Sequence, residues 1–155
     1  MAGRIEAKLA ELGVTLPDAP APAANYVPWV LSGAHVYVSG QISRDARGLI
    51  TGKLGEDLDK AEGVRAARSC ALALLAQLNA ALGGDLDRLV RVVKLTGFVN
   101  STAAFTDQPA VINGASDFFV EVLGDAGRHA RSAVSAASLP MGVAVEIEAI
   151  FEVRS

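Results

Sequence analysis

The strongest constraint on the fold is an alternation of apolar and carboxylate side chains near the C-terminus. One set of alternate positions is apolar throughout and comprises Val143, Val145, Ile147, Ala149, Phe151 and Val153. Glu146, Glu148 and Glu152 stand between them. Because successive side chains of a strand point to opposite faces, the pattern predicts a strand from Val143 to Val153 with one face against a core. The other face of that strand presents carboxylates.

Apolar residues at helical spacing predict two long helices, from Asp59 to Leu82 and from Pro109 to Leu123. In the first of these helices, Gln77 falls off the apolar stripe. A shorter amphipathic helix is expected from Arg4 to Leu12. Four prolines between Leu16 and Pro28 predict an extended segment, because proline fixes its own φ and disfavours helix in the residue before it.

The remaining apolar runs predict a sheet. They lie at Trp29–Leu31, His35–Val38, Leu89–Val99 and Ala133–Leu139. Ser39-Gly40-Gln41 is expected to end the second of these strands, and the glycine-rich segment from Ser43 to Gly55 is expected to form a hairpin or loop. The order of the elements predicts an α+β fold, a mixed sheet with the two long helices on one face.

The segment Leu89–Val99 is apolar on both of its faces. Two helices cover only one face of a sheet, so the second face would expose a large apolar patch to water. Another copy of the chain is the simplest cover for that patch. We therefore expect a homo-oligomer.

Composition narrows the class of protein. The chain has 155 residues, which fits a single domain. Its 17 acidic and 14 basic residues give a formal net charge of −3, without the basic cluster of a nucleic-acid binder. No run approaches the roughly 20 apolar residues of a membrane helix, and the N-terminus lacks the apolar core of a signal peptide. We expect no nucleic-acid or membrane partner and a cytoplasmic location.

Several isolated features do not predict a cofactor or metal site. The single cysteine, Cys70, excludes an internal disulfide and a cysteine-based zinc site, and it is interpreted as a small buried hydrophobe. His35 and His129 have no His or Cys neighbour at ligand spacing. The run Gly48–Lys53 has three residues between its glycines where a phosphate loop has four, so it is interpreted as a hairpin.

Arg131 and Glu146 are the candidate catalytic residues. Arg131 opens a run of small residues against which another molecule can pack, and Glu146 projects from the carboxylate face of the last strand. If a partner subunit covers that face, burial raises the pKa of Glu146 into a range useful for acid–base catalysis. Such a pair can bind an anionic substrate and move a proton. An interfacial salt bridge is the structural alternative.

Several motifs together resemble the RidA family, also called the YjgF/UK114 group or reactive intermediate deaminases. They are Tyr26 after the proline segment, Val38-Ser39-Gly40-Gln41, the glycine-rich segment through Gly52, Phe98-Val99 and, most specifically, a C-terminal run. That run comprises Arg131-Ser132-Ala133-Val134, Leu139-Pro140 and Val145-Glu146-Ile147-Glu148-Ala149. On this resemblance, residues 1–155 form one RidA-like domain in which residues 1–25 are an N-terminal helix and extended segment.

The resemblance implies a chorismate-mutase-like, YjgF-like domain that assembles as a homotrimer with ligand clefts between subunits. It implies hydrolysis of enamine or imine intermediates to 2-oxo acids and ammonia without a metal or cofactor. By the same resemblance, Arg131 would bind the substrate carboxylate, for which a planar guanidinium is suited, and Glu146 would position or activate water. The positions matching the pocket lining are Tyr26, Gly40, Asn113 and Ala133, the last through its backbone.

The sequence departs from the family pattern in several respects. Ala133 stands where many members have Cys, so thiol chemistry is absent there, whereas imine hydrolysis needs no thiol. The segment Asn100–Val111 is longer than the usual loop. The N-terminal helix from Arg4 to Leu12 and the lead-in Gly127–Arg131 indicate a distinct subgroup, whose substrate need not be a small 2-imino acid.

Two other functions stay open at this point. One is a trimer that binds a small carboxylate, such as a 2-oxo acid, without turning it over. The other is an endoribonuclease, a label attached to the family, which the acidic charge balance disfavours.

Overall fold

A computed structural model describes residues 3–22 and 24–155. The helices are α1 (Arg4–Glu11), α2 (Lys60–Ala81) and α3 (Gln108–Leu123). The strands are β1 (Trp29–Ser32), β2 (His35–Ile42), β3 (Arg44–Asp45), β4 (Gly48–Leu49), β5 (Leu89–Asn100), β6 (Ala130–Ala136) and β7 (Val145–Val153). Short 3₁₀ turns lie at Leu86–Arg88, Gly124–Gly127 and Pro140–Gly142.

Five strands form one mixed sheet in the order β1-β2-β7-β5-β6. Strands β5 and β6 are parallel, and the other neighbours are antiparallel. Strands β3 and β4 form a separate small hairpin within the segment predicted to be a hairpin or loop. Helices α2 and α3 pack on each other and against one face of the sheet. The predicted α+β architecture, with both long helices on one face, is confirmed.

The helix boundaries predicted from the sequence are right to within one residue, but the bounds of three strands are wrong, and β7 begins at Val145 instead of Val143. Strand β2 does not end at Ser39-Gly40-Gln41. It runs through them to Ile42 because an irregularity between Val38 and Gln41 is accommodated inside the ladder. Strand β6 spans Ala130–Ala136, three residues before the predicted bounds at each end, because its parallel pairing with Lys94–Asn100 sets its limits.

One hydrophobic core lies between the helices and the sheet. Helix α2 contributes small side chains and leucines, and α3 contributes Phe118 and Phe119, which meet edge to face with ring centres 5.7 Å apart. Cys70 is fully buried in this core, and burial raises the pKa of its thiol. Its interpretation as a small buried hydrophobe is confirmed.

Gln77 is buried, which the helical pattern did not predict. Its amide Nε2 donates to the carbonyl of Pro20 at 2.6 Å and to Oε1 of Gln41 at 3.3 Å. A buried amide without partners is costly, so these contacts make the burial tolerable. They also attach the extended N-terminal segment to α2 and β2.

The sheet face opposite the helices is left open by the described part of the chain. Val30, Tyr37 and Val134 lie on this open face and are 49%, 46% and 43% exposed. The outward side chains of β7, including Glu146 and Ile150, lie on the same face. The open face is apolar at these positions, but β5 presents Lys94 and Thr96 as well as Phe98 to it, so the expectation that Leu89–Val99 is apolar on both faces is only partly met. Its coverage by a second copy stays a prediction.

Helices α2 and α3 cross so closely that only glycine fits at position 114. A Cβ there would overlap the carbonyl oxygen of Val64, a backbone atom that cannot turn aside. We predict that Gly114→Ala lowers the free energy of unfolding by about 1–3 kcal/mol through overpacking. Alanine ordinarily favours helix over glycine by about 1 kcal/mol, so the sign of the change tests the contact.

Thermal and urea denaturation measure this effect. Asp117→Ala, at an exposed position of the same helix, is the control and should leave stability nearly unchanged. A Gly114→Ala protein as stable as the wild type would contradict the close packing of α2 and α3.

Candidate functional site

A cleft of about 380 Å³ opens between the proline-rich N-terminal segment, the end of β2 and the Pro140–Met141 turn. Three of the predicted site residues line it: Tyr26, Gly40 and Glu146. Three others, Arg131, Asn113 and Ala133, do not. One protomer therefore brings together only half of the residues that the sequence assigned to the site.

Hydrogen bonds fix the wall that carries Tyr26. The hydroxyl of Ser39 donates to the carbonyl of Val27 at 2.8 Å, and its backbone N–H donates to Pro28 at 2.9 Å. Further back, Gln77 holds the carbonyl of Pro20. Because proline supplies no backbone N–H, this segment depends on donors from the rest of the fold to stay against the cleft.

Glu146 lies directly over Gly40. A Cβ at position 40 would be 2.9 Å from Cδ and 3.1 Å from Cγ of Glu146, and it would overlap Oε2. Any side chain at position 40 would displace the carboxylate, so glycine is needed here for the close approach. The irregularity of β2 between Val38 and Gln41 brings this glycine under the carboxylate of β7.

Glu146 is half-buried, and burial raises its pKa, with a smaller contribution from the negative charge of Glu148. Within the described part of the chain, no donor forms a hydrogen bond to its carboxylate. Both conditions favour the protonated form, so the group exchanges a proton more readily near neutral pH than an ordinary glutamate. The rise in pKa expected from the sequence is present even without a covering subunit.

Arg131 is held against α3. Its Nη1 donates to Oγ of Ser116 at 3.1 Å and its Nη2 donates to the carbonyl of Pro109 at 3.2 Å. A guanidinium has five N–H donors, so these two bonds orient the group while the other donors remain for a ligand. Within residues 3–22 and 24–155, Arg131 forms no ion pair with a carboxylate.

Asn113 and Ala133 flank this arginine. Asn113 is exposed on α3, in the turn of helix between Pro109 and Ser116, both of which contact Arg131. Ala133 follows Arg131 by two positions on β6 and therefore shares its face of the strand. Arg131, Asn113 and Ala133 form a second group, which we call the arginine half-site. Tyr26, Gly40 and Glu146 form the carboxylate half-site.

The two half-sites lie on opposite faces of one sheet. Arg131 pairs with Leu95, which pairs with Ala149, and both partners are buried on the helix-covered face. Glu146 pairs instead with Phe98, in register with Val134 on the open face. Since paired residues of neighbouring strands share a face, the side chains of Arg131 and Glu146 of one protomer lie on opposite faces of the sheet and point away from each other.

Arg44 and Met141 also line the cleft, and neither was predicted from the sequence to be a site residue. Arg44 follows β2 at the rim and adds a positive charge to the cleft that holds Glu146. Met141 is 60% exposed and has a φ of 57°, in the left-handed region where residues other than glycine are uncommon. The sequence feature that could have indicated the unusual backbone of Met141 is its position between Pro140 and Gly142, a pair of residues typical of a turn.

No three His, Cys, Asp or Glu side chains converge as a metal site within residues 3–22 and 24–155. Among the helices described, none has the length and apolar character required to cross a membrane.

Comparisons with known proteins agree with the fold. The family described as "YjgF/chorismate mutase-like, putative endoribonuclease" matches residues 6–151. Protein TCP17 of Trypanosoma cruzi is 53% identical over 155 residues, covering 99% of this chain and 96% of its own length. The solved structure of Atu1372 from Agrobacterium tumefaciens, a protein of unknown function, is 51% identical with a TM-score of 0.90. It covers 97% of this chain and 93% of that one.

A more distant relative has a named activity. The 2-iminobutanoate/2-iminopropanoate deaminase of Dermatophagoides farinae is 29% identical over 139 residues, covering 88% of this chain and 92% of its own length.

The raised pKa of Glu146 predicts a pH-dependent cost in stability. A carboxyl whose pKa is higher in the folded state destabilises that state when it ionises, so stability is lost as the pH rises through the folded pKa. We predict that Glu146→Gln melts at a higher temperature than the wild type at pH 8. This difference should shrink below the ordinary pKa of glutamate, because both proteins are then uncharged at position 146.

Melting curves recorded between pH 4 and pH 8 check this prediction. Glu121→Gln, at an exposed position of α3, serves as the control and should show no such trend. A difference between Glu146→Gln and the wild type that is independent of pH would contradict it.

Proposed function

Because the chain belongs to the YjgF/chorismate mutase-like family, we propose that it hydrolyses enamine or imine intermediates to 2-oxo acids and ammonia. The observation that carries this proposal is the half-buried carboxyl of Glu146, held over Gly40 in an open cleft. The named activity of the Dermatophagoides farinae relative supports the same reaction class. Endoribonuclease, which the family description also names, fits poorly with a net charge of −3 and three glutamates on the outer face of β7.

The chemistry asks little of the protein beyond binding and proton transfer. The carboxylate of Glu146 accepts a proton from water as the water oxygen bonds to the carbon of the protonated imine and the C=N π electrons move to nitrogen, which gives a neutral carbinolamine. Glu146 returns this proton to the nitrogen, and the C–N bond breaks as the hydroxyl oxygen forms the C=O bond. The hydroxyl proton passes to the departing ammonia, so the products are the 2-oxo acid and ammonium, and Glu146 is again ionised. A carboxyl with a raised pKa can serve in both directions of this transfer.

Arg131 supplies the substrate binding in this proposal. Its guanidinium can donate two parallel bonds to the carboxylate of a 2-imino acid, using donors that Ser116 and Pro109 leave free. The geometry of the sheet excludes the Glu146 of the same protomer as its catalytic partner. The complete site therefore requires the arginine half-site of one copy and the carboxylate half-site of another.

A homotrimer satisfies that requirement. In a closed ring each copy gives its arginine half-site to one neighbour and its carboxylate half-site to the other. The open face, with Val30, Tyr37 and Val134 exposed, provides apolar surface for such contacts. This assembly also deepens the burial of Glu146 and so raises its pKa further.

Imine hydrolysis can be measured directly. An L-amino-acid oxidase generates 2-imino acids from alanine, 2-aminobutyrate or leucine, and semicarbazide traps the imine that is not hydrolysed. We expect the purified protein to decrease the trapped fraction and to speed release of the 2-oxo acid for at least one of these substrates. No acceleration with any of them would contradict the proposal.

The two candidate catalytic residues should affect different kinetic constants. Glu146→Gln should lower kcat by about 10²–10⁴-fold, because it removes the proton carrier. Arg131→Ala should mainly raise KM, by roughly 10–100-fold, because it removes a charge-assisted bond made to the substrate before and during reaction. Glu121→Gln is the control for charge loss and should leave both constants unchanged.

The outcome also separates catalysis from binding alone. Calorimetric binding of a 2-oxo acid that is lost in Arg131→Ala and unaffected in Glu146→Gln, with no turnover of any imine, would identify a carboxylate-binding protein instead of an enzyme.

A further inference from the structure

We infer that Ser116 and His129 are positioning residues that set the orientation of Arg131 for a substrate carboxylate. Neither residue takes part in the proton transfers proposed above, yet Ser116 is hydrogen-bonded to Arg131, and His129 is hydrogen-bonded to Ser116. Oγ of Ser116 lies 2.9 Å from Nε2 of His129 and 3.1 Å from Nη1 of Arg131. This inference rests on the proposed role of Arg131, but it does not require turnover.

The direction of each hydrogen bond follows from what the groups can donate. Nδ1 of His129 lies 2.6 Å from the carbonyl of Gly127, and a carbonyl only accepts, so Nδ1 carries the proton. In a neutral imidazole, Nε2 is then an acceptor. The Ser116 hydroxyl donates its proton to Nε2, which turns the oxygen's lone pairs toward Arg131.

The arginine completes this chain in the one way open to it. A guanidinium has donors and no acceptor, so it can bond to Ser116 only where a lone pair is available. Because the hydroxyl proton of Ser116 is donated to His129, the lone pairs of the Ser116 oxygen are available to accept from Arg131. The Gly127 carbonyl thus sets the tautomer of His129, His129 orients Ser116, and Ser116 holds Arg131.

Packing keeps the histidine neutral and fixed in place. Its ring meets Phe119 edge to face, with ring centres 6.4 Å apart and planes 80° apart. Burial lowers the pKa of His129; the bond to Gly127 acts against this change, and the charge of Arg131 acts with it. The imidazole is therefore uncharged at neutral pH, which leaves Nε2 free to accept the hydrogen bond from Ser116.

Pro109 makes the second contact that defines the guanidinium plane. With Nη2 on that carbonyl and Nη1 on Ser116, the arginine is held at two points along one side of α3. Two points fix the rotation of a planar group, whereas one leaves it free to turn. Loss of Ser116 should therefore spoil the alignment of the guanidinium while keeping its charge.

Binding of 2-oxobutanoate, measured by calorimetry on the intact oligomer at pH 7.5, tests the role of the hydrogen bonds that join His129, Ser116 and Arg131. We expect Ser116→Ala to weaken binding roughly 3–10-fold, in the range of one ordinary hydrogen bond, because the guanidinium keeps its charge and loses only its alignment. In imine hydrolysis, if it occurs, the same change should appear in KM with kcat nearly unchanged. Asp117→Ala, the neighbouring exposed position on α3, is the matched control and should bind as the wild type does.

Conservative variants distinguish positioning from general damage. Ser116→Thr keeps the hydroxyl and should restore most of the binding. His129→Gln keeps an acceptor for Ser116 and should bind better than His129→Phe, which preserves bulk but has no acceptor. In an Arg131→Lys background, Ser116→Ala should have no further effect, because the two-point hold on the guanidinium is already lost.

Nitrogen NMR of His129 provides a readout that does not depend on binding. The expected signature is the neutral tautomer with the proton on Nδ1. A proton on Nε2, unchanged binding in Ser116→Ala, or an equal loss in the Arg131→Lys background would overturn the inference. Absence of 2-oxobutanoate binding by the wild type would overturn it as well. Binding that follows this pattern without imine turnover would uphold it and contradict the proposed reaction.

Discussion

The pleat of the central sheet governs where the two candidate catalytic groups can act. Arg131 and Glu146 lie on strands separated only by β5, and their register through that strand places them on opposite faces. A side chain cannot pass through a sheet whose neighbouring strands are hydrogen-bonded, so the closeness of the two strands does not bring these two side chains together. The proposed catalysis therefore requires a second copy of the chain.

The carboxylate half-site contains buried polar groups, and the burial of each is unfavourable to the stability of the fold. Burial of Gln41 and Gln77 is tolerable because their amides bond to one another and to backbone carbonyls. Glu146 is held half-buried without a hydrogen-bonding partner among the described residues, which destabilises its ionised form. Such costs are typical of functional sites, where a group is kept reactive at the expense of stability.

The sequence was sufficient for the helices and for the succession of strands and helices along the chain, but not for the order of strands in the sheet or for the site geometry. Apolar spacing located α2, α3 and β7 because the long amphipathic pattern of each element agrees with its burial. The same reasoning placed the bounds of β6 three residues too late, which left Arg131 outside the predicted strand and gave no pairing register for it. The face occupied by Arg131 therefore could not be predicted.

Two other features depended on contacts between distant segments. Gln77 looked like a residue outside the apolar stripe, and its burial is explained only by the carbonyl of Pro20, 57 residues away. Ser116 and His129 are 13 residues apart on different elements, so no local pattern could pair them. The family resemblance assigned Tyr26, Gly40, Asn113 and Ala133 to the pocket lining and Glu146 to catalysis. Tyr26, Gly40 and Glu146 line one cleft, whereas Asn113 and Ala133 do not.

Subunit mixing tests most directly whether the site is shared between copies. Arg131→Ala and Glu146→Gln chains are unfolded together, refolded as a mixture and assayed for imine hydrolysis; a pool of the separately refolded variants is the control. If each site takes its arginine and its carboxyl from different chains, random assembly at equal amounts restores about a quarter of the wild-type rate, because about one interface in four joins two intact residues. Activity that stays at the level of the pooled single variants would contradict the account.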